Sequence, residues 1–309
     1  MGKIAFVFAG QGAQYPGMGK ELYETSAAAR YIFDAVEAER PGTLEQCFAG
    51  DKETLSRTLN TQPCLFAMDL ACAKALVEKG VRPDAVAGFS LGELAAVAFA
   101  EMLPLKEAVR LVCCRAERMD ACSAGEKTAM AAVLRLSAEQ VEKLCGDFDK
   151  VYPVNYNCPG QTVVSGEEGQ IAALSERVAA LKGRAMRLNV SGAFHSPYMH
   201  EASLGLADYM RDLRFAAPIV PVYANCTAEP YSAQDAASLL ARQVENPVRW
   251  EQTVRAMIAQ GVDTFVECGA GKTLSGLISK IDKDVAVCRV EDAATLSQTL
   301  SALGRETHD

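Results

Sequence analysis

Short apolar runs bounded by glycine or proline alternate along this chain with longer stretches in which apolar residues recur every three to four positions. Lys3–Phe8 is such a run and reads as a buried strand that ends in a glycine-rich turn, Gly10-Gln11-Gly12. Amphipathic spacing predicts helices over Gly19–Arg40 and Gln62–Lys79, with Gly80 closing the second. Ala85–Ala87 reads as another strand, followed by helices over Glu93–Ala100 and Leu105–Asp120. This alternation predicts an α/β fold with a parallel sheet covered on both faces.

The middle of the chain has a different rhythm. Met130–Leu134, Val151–Tyr156, Thr162–Ser165 and Ala185–Asn189 read as strands. Between them, Ser137 and Gln140 form a capping box that opens a helix over Ala138–Cys145, and a second helix runs over Glu168–Lys182. The order βαββαβ is the split motif of ferredoxin-like units. A small domain over 125–197 is therefore expected inside a larger one made of 1–124 and 198–309. In the returning segment, Ile219–Ala224, Thr264–Glu267 and Val285–Val290 read as strands, Val248–Gln260 and Leu274–Ile281 as helices. The polar end after Leu303 is expected to fray.

Composition narrows the partners. Half of the 309 residues are hydrophobic and 23% are charged, as in soluble globular proteins. The net charge of −8, from 31 basic and 39 acidic residues, argues against nucleic acid as a partner. No apolar stretch approaches the roughly 20 residues of a membrane helix. The eleven cysteines lie mostly in apolar helical stretches without a Cys-x-x-Cys pair, which points to reduced thiols in a cytoplasmic protein rather than disulfides or a zinc site.

Ser90 carries the most specific chemical signal. It lies in Gly88-Phe89-Ser90-Leu91-Gly92, a Gly-x-Ser-x-Gly turn between a strand and a helix. Such an elbow exposes the hydroxyl and aims the next amide at a developing oxyanion; the bland alternative is a glycine-flanked turn with an idle serine. A serine hydroxyl needs a base. Of three histidines, His308 lies in the tail and His200 falls inside a helix, whereas His195 precedes an N-cap and proline, Ser196-Pro197, on a loop. Arg115 shares a helix face with Ala108, Leu111, Val112 and Met119. A guanidinium there needs an anionic partner, either a protein carboxylate or a carboxylate borne by the substrate. Two glycine-rich stretches fail as nucleotide loops: Tyr15 replaces the third glycine of Gly10-Gln11-Gly12, and Val266 the first glycine required before Gly271-Lys272-Thr273. His195 and His200 lack a ligand cluster, so no metal is expected.

Together these residues resemble the malonyl-CoA:acyl carrier protein transacylase family, shared with the acyltransferase domains of fatty acid and polyketide synthases. The resemblance spans nearly the whole chain. It rests on Phe8 through Gln14, Gly88 through Glu93, Arg115 through Met119, and Asn157-Cys158-Pro159-Gly160-Gln161. Gly192-Ala193-Phe194-His195-Ser196, Gln243 through Val248 and Glu267 through Gly271 add to it. Phe89 stands where many relatives have histidine, and Ala116 and Asp120 where glycine and glutamine are frequent.

The resemblance implies an α/β-hydrolase-like large domain with an inserted ferredoxin-like small domain. It assigns the nucleophile to Ser90, the base to His195, the carbonyl that orients the base to Gln243, and the oxyanion amides to Gln11 and Leu91. Arg115 becomes the clamp on a malonyl carboxylate, with Met119 and Asn157 beside the substrate. Phe194 matches a bulky residue of malonyl-selective relatives, against a reading as ordinary packing. Arg184, with Lys182 and Arg187, is a docking patch for the carrier or a coenzyme A phosphate, against a reading as a solvated face. The implied reaction moves malonyl from malonyl-CoA to acyl carrier protein through a malonyl-serine, supplying fatty acid synthesis, with no cofactor and as a monomer. A serine esterase or thioesterase, a nucleotide-binding module and an acyltransferase serving polyketide synthesis are the rival readings.

Overall fold

The computed structural model describes residues 2–190 and 192–305, so His308 and most of the polar end lie outside it. The first stretch runs β1 (Lys3–Phe8), α1 (Lys20–Thr25), α2 (Ala27–Glu39), α3 (Thr43–Ala49), α4 (Lys52–Ser56), α5 (Thr58–Glu78), β2 (Ala85–Gly88), α6 (Gly92–Phe99) and α7 (Leu105–Ser123). The middle holds β3 (Thr128–Leu134), α8 (Ala138–Cys145), β4 (Val151–Cys158), β5 (Gln161–Glu167), α9 (Glu168–Ala180) and β6 (Arg184–Arg187). After them come α10 (His200–Tyr209), β7 (Val222–Tyr223), α11 (Ala236–Gln243), α12 (Trp250–Ala259), β8 (Val262–Cys268), α13 (Thr273–Ile281), β9 (Ala286–Val290) and α14 (Ala293–Ala302).

Five strands form a parallel sheet in the order β7-β2-β1-β8-β9. Both of its faces are covered, and β1 shows why its sequence is apolar throughout. Phe6 and Phe8 enter one hydrophobic core, while Ala5 and Val7 enter a second on the opposite face. The other four strands form an antiparallel sheet, β4-β5-β3-β6, with α8 and α9 packed on it over a third core. That strand order, with the first and third strands of the unit central, is the ferredoxin-like arrangement. The fold is thus α/β, with a parallel sheet and a smaller split-βαβ sheet.

Several elements depart from the sequence expectation for identifiable reasons. The helix expected over 19–40 is two helices, because Ser26 leaves the helical path to cap α2, accepting from the Ala29 amide at 3.1 Å. Helix α5 starts four residues before Gln62 and carries Pro63 inside it. Proline donates nothing to the Leu59 carbonyl, and Arg40 supplies that bond through Nη2 at 3.2 Å. The strand expected over 219–224 shrinks to Val222–Tyr223, since Pro218 and Pro221 have no N–H to give a ladder. No helix among the described residues is long and apolar enough to cross a membrane.

Candidate active site

The site lies at the C-terminal ends of β1 and β2. These neighbours run in parallel register, with Phe8 opposite Gly88. Gln11 and Leu91 each follow three residues later, so the turn after β1 and the first turn of α6 emerge side by side around Ser90. The glycines flanking Ser90 are required by space: a Cβ on Gly88 would collide with the Gly92 backbone, and one on Gly92 with the Phe8 carbonyl. Ser90 itself takes φ of 53°, in the left-handed region, a conformation that costs a non-glycine residue on the order of 1–3 kcal/mol. Asn225 holds the elbow from both sides. Its Oδ1 accepts from the Ser90 amide at 2.7 Å, and its Nδ2 donates to the Gly88 carbonyl at 2.6 Å.

His195 is buried, with its Nε2 2.7 Å from Ser90 Oγ. On the other side of the ring, Nδ1 lies 2.9 Å from the Gln243 carbonyl and 3.2 Å from that of Asn246. Carbonyl oxygens only accept, so Nδ1 carries the hydrogen and Nε2 is left to accept from the serine. Burial first, and the Arg115 charge second, push the imidazole down to about 4. It is neutral at physiological pH. His200, by contrast, is an exposed partner of Glu245 at 2.8 Å.

Arg115 projects from α7 into the same space and is only 3% exposed. Its Nη1 donates to Gln62 Oε1 at 2.9 Å; its Nη2 donates to Ser90 Oγ at 3.1 Å and to Gln243 Oε1 at 2.9 Å. Among the described residues no carboxylate pairs with it, Asp120 included, and its Nε has no partner. Burial lowers this guanidinium to about 10, a shift opposed by the charge of Glu93. Of the two partners open to Arg115 in the sequence, a protein carboxylate is therefore absent.

Glu93, Gln62, Asn225 and Tyr231 form the surroundings that the sequence reading passed over. The Glu93 carboxylate is fully buried beneath the elbow and accepts from Gln243 Nε2 at 2.7 Å, the Asn225 amide at 3.2 Å and the Tyr231 hydroxyl. Burial raises it to about 7 against the pull of those donors. Gln62, on α5, also donates to Met119 Sδ at 3.5 Å, tying Met119 to the guanidinium. A polar residue on an apolar helix face was the available signal for Gln62, as it was for Arg115. Asn225 and Tyr231 lie in irregular chain after β7 and offered none.

The remaining expected residues are distributed around this centre. Phe194 is buried next to His195, and its carbonyl accepts from Ser165 at 3.3 Å. Asn157 lines a cleft of about 230 Å³ together with Gln11, Phe89 and Asn155. Both asparagines are buried with an Oδ1 that has no partner among the described residues. Phe89 packs edge-on to Trp250, with ring centroids 5.6 Å apart. Arg184 is not brought to the centre: it begins β6, an edge strand of the small sheet, and is exposed. The Gly271 amide donates to Glu291 at 2.8 Å, so a carboxylate stands where a phosphate loop would need an open amide. No group of three or more potential metal ligands occurs among the described residues.

A hydroxyl, a neutral imidazole oriented by a carbonyl, and a buried cation meet within hydrogen-bond reach of one oxygen, which is the equipment of serine-based acyl chemistry. Residues 5–295 match the acyl transferase domain family. The chain is 38% identical over 314 residues to the malonyl CoA-acyl carrier protein transacylase of Bacillus subtilis, spanning 99% of each. It superposes on the malonyl CoA-acyl carrier protein transacylase of Clostridium perfringens with a TM-score of 0.94 at 36% identity, over 98% of this chain and 97% of that one. A malonyl-transacylase solved in complex with its type II polyketide synthase acyl carrier protein gives a TM-score of 0.93 at 32% identity, over 97% and 99% of the two chains. The match over nearly the full length, together with the geometry at Ser90, places the chain in the acyl transferase family.

Proposed function

We propose that this protein transfers malonyl from malonyl-CoA to the phosphopantetheine thiol of an acyl carrier protein, through a malonyl ester on Ser90, in fatty acid synthesis. The observation that carries the reading is the position of Ser90 Oγ, 2.7 Å from His195 Nε2 and 3.1 Å from Arg115 Nη2. A hydrolase of simple esters would use the first contact. The second brings a cation without a protein carboxylate to the acyl position, which suits a substrate carrying its own carboxylate.

In the first half-reaction the Ser90 proton passes to His195 Nε2 as Oγ bonds to the thioester carbon. The Gln243 carbonyl stabilises the imidazolium through Nδ1–H. The Gln11 and Leu91 amides stabilise the tetrahedral oxyanion; loss of one such donor typically costs about 2.7–4 kcal/mol. The carbon–sulfur bond then breaks, and coenzyme A leaves with the proton from His195. In the second half the carrier thiol gives its proton to His195 and attacks the ester, and Oγ departs with that proton. Arg115 grips the malonyl carboxylate as a fork through both steps, with Met119 and Phe194 bounding the acyl group. Asn157 lies along the thioester arm. No cofactor enters.

The segment 125–197 works as an inserted domain that closes the cleft over the elbow. Eleven free thiols, seven of them buried, support a cytoplasmic setting. Peptide mapping by mass after brief mixing with malonyl-CoA tests the proposal. It is expected to place malonyl on Ser90 and to show discharge by holo acyl carrier protein. Discharge to water at the same rate without the carrier would make the protein a thioesterase.

A further inference from the structure

The Gln243 side chain has no freedom in how it presents its amide. Its Nε2 faces two groups that only accept, the Ser90 carbonyl at 2.6 Å and the Glu93 carboxylate at 2.7 Å. Its Oε1 faces a group that only donates, Arg115 Nη2 at 2.9 Å. A flipped amide would meet like against like at all three contacts. Glu93 is held in turn by the Asn225 amide and the Tyr231 hydroxyl. Asn225 is the residue that clamps the strained elbow, and the backbone of Gln243 orients His195.

From this connectivity we infer that Glu93 is a positioning residue for malonyl selectivity: through the Gln243 amide it aims the Arg115 fork and, in its ionised form, balances its charge from one residue away. The inference rests on the malonyl-transfer reading. The distance between the two charges is what makes the arrangement work. A carboxylate in direct contact with Arg115 would occupy the fork that the substrate carboxylate needs. A buried cation with no anion nearby would be costly to hold in place. With the glutamine amide between them, the ionised charges are balanced and only neutral acceptors, which a substrate carboxylate can displace, meet the fork. A glutamine at 93 could not accept at both of its terminal atoms, so either Gln243 Nε2 or the Asn225 amide would lose its acceptor and Arg115 its counter-charge.

The test compares Ser90 acylation rates with malonyl-CoA and acetyl-CoA, followed by intact mass, in the wild type and in Glu93→Gln. The ratio of the two rates does not depend on the fraction of active protein, so a merely structural defect leaves it unchanged. It is expected to fall at least tenfold in Glu93→Gln; a ratio within twofold of wild type overturns the inference. If Glu93→Gln does not fold, Gln243→Met keeps the backbone carbonyl and removes the amide bridge, and the same tenfold fall is expected, with an unchanged ratio again overturning it. If the wild type forms no malonyl-Ser90, the transfer reading fails, and the inference with it; a normal wild type with an unchanged variant ratio removes the inference alone.

Discussion

The guanidinium of Arg115, on α7, and the hydroxyl of Ser90, in the elbow between β2 and α6, are direct partners, 3.1 Å apart, although 25 residues separate them along the chain. The contact places the positive charge where an acyl group attached to Oγ would extend. Replacing Arg115 by glutamine keeps a polar group of similar reach and removes the charge. Each hydrogen bond to a charged group contributes about 1.5–3 kcal/mol, so loss of a two-pronged grip lowers kcat/KM for malonyl-CoA by about 10²-fold or more. Acetyl-CoA, which brings no carboxylate, is expected to lose less than tenfold. Steady-state kinetics with both thioesters checks the difference, and equal losses would remove Arg115 from substrate recognition.

Burial, and after it the same charge, set the acid limit of the enzyme. In the folded protein His195 is pushed from 6.5 down to about 4, by burial first and by Arg115 second. The base must be neutral to act, so phosphonylation of Ser90 by a neutral organophosphonyl fluoride is expected to rise through about pH 4 and level off below pH 6.5. Removing the positive charge in Arg115→Gln makes the imidazolium less unfavourable, which moves this limb to higher pH. The linked effect on stability has a definite sign. Below pH 6.5 the unfolded chain takes up a proton at His195 that the folded one refuses until about pH 4. Stability from this group is complete above 6.5 and lost as pH falls through that window. A limb that stays put in Arg115→Gln would separate the two residues electrostatically.

Phe194 stands immediately before the base, 6% exposed, with its ring against the loop that carries Gly192. If the acyl group lies against that ring, as proposed, a branch on the malonyl carbon has little room. Phe194→Ser is expected to raise turnover of methylmalonyl-CoA relative to malonyl-CoA about tenfold, the scale that one methyl group contributes in a tight pocket. The competition ratio measured with both thioesters in one reaction decides it. An unchanged ratio would leave Phe194 as packing.

How much of this was legible in the sequence differs between its parts. The parallel sheet is written in runs such as Ala5 through Phe8, where both faces are apolar because both are buried. The capping box at Ser137 and Gln140 fixes the start of α8 to the residue, since both of its bonds are local. Helix α5 is different: Pro63 reads as a helix start until Arg40, 23 positions earlier, supplies the bond that proline removes. Within the site, Ser90 and Arg115 are visible because each breaks the pattern around it. Glu93 is not, since an acid in the first turn of a helix is ordinary, and only the packing of Tyr231, Asn225 and Gln243 around it turns that acid into a buried hub.

Arg184 is exposed on an edge strand and has no contact with the groups around Ser90, so its role depends on what it meets on the surface. It begins β6, opposite Leu134, which brings the exposed Arg135 beside it, and Lys182 precedes it on the same turn. Arg187, further along the strand, is drawn off by Glu168 at 2.5 Å. Of these cations, those without an ion-pair partner among the described residues are therefore at the start of the strand. On a protein of net charge −8, a local positive patch is what an acidic carrier or a coenzyme A phosphate would find. Arg184→Glu reverses one charge on an edge strand without touching a core. The expected result is a several-fold rise in apparent KM for the carrier, for malonyl-CoA or for both, with kcat kept. Surface charges act through a screened field, so the rise should shrink as salt is increased from about 0.05 to 0.5 M. Unaltered KM values for both substrates at low salt would return this patch to a solvated face and place the docking surface elsewhere on the molecule.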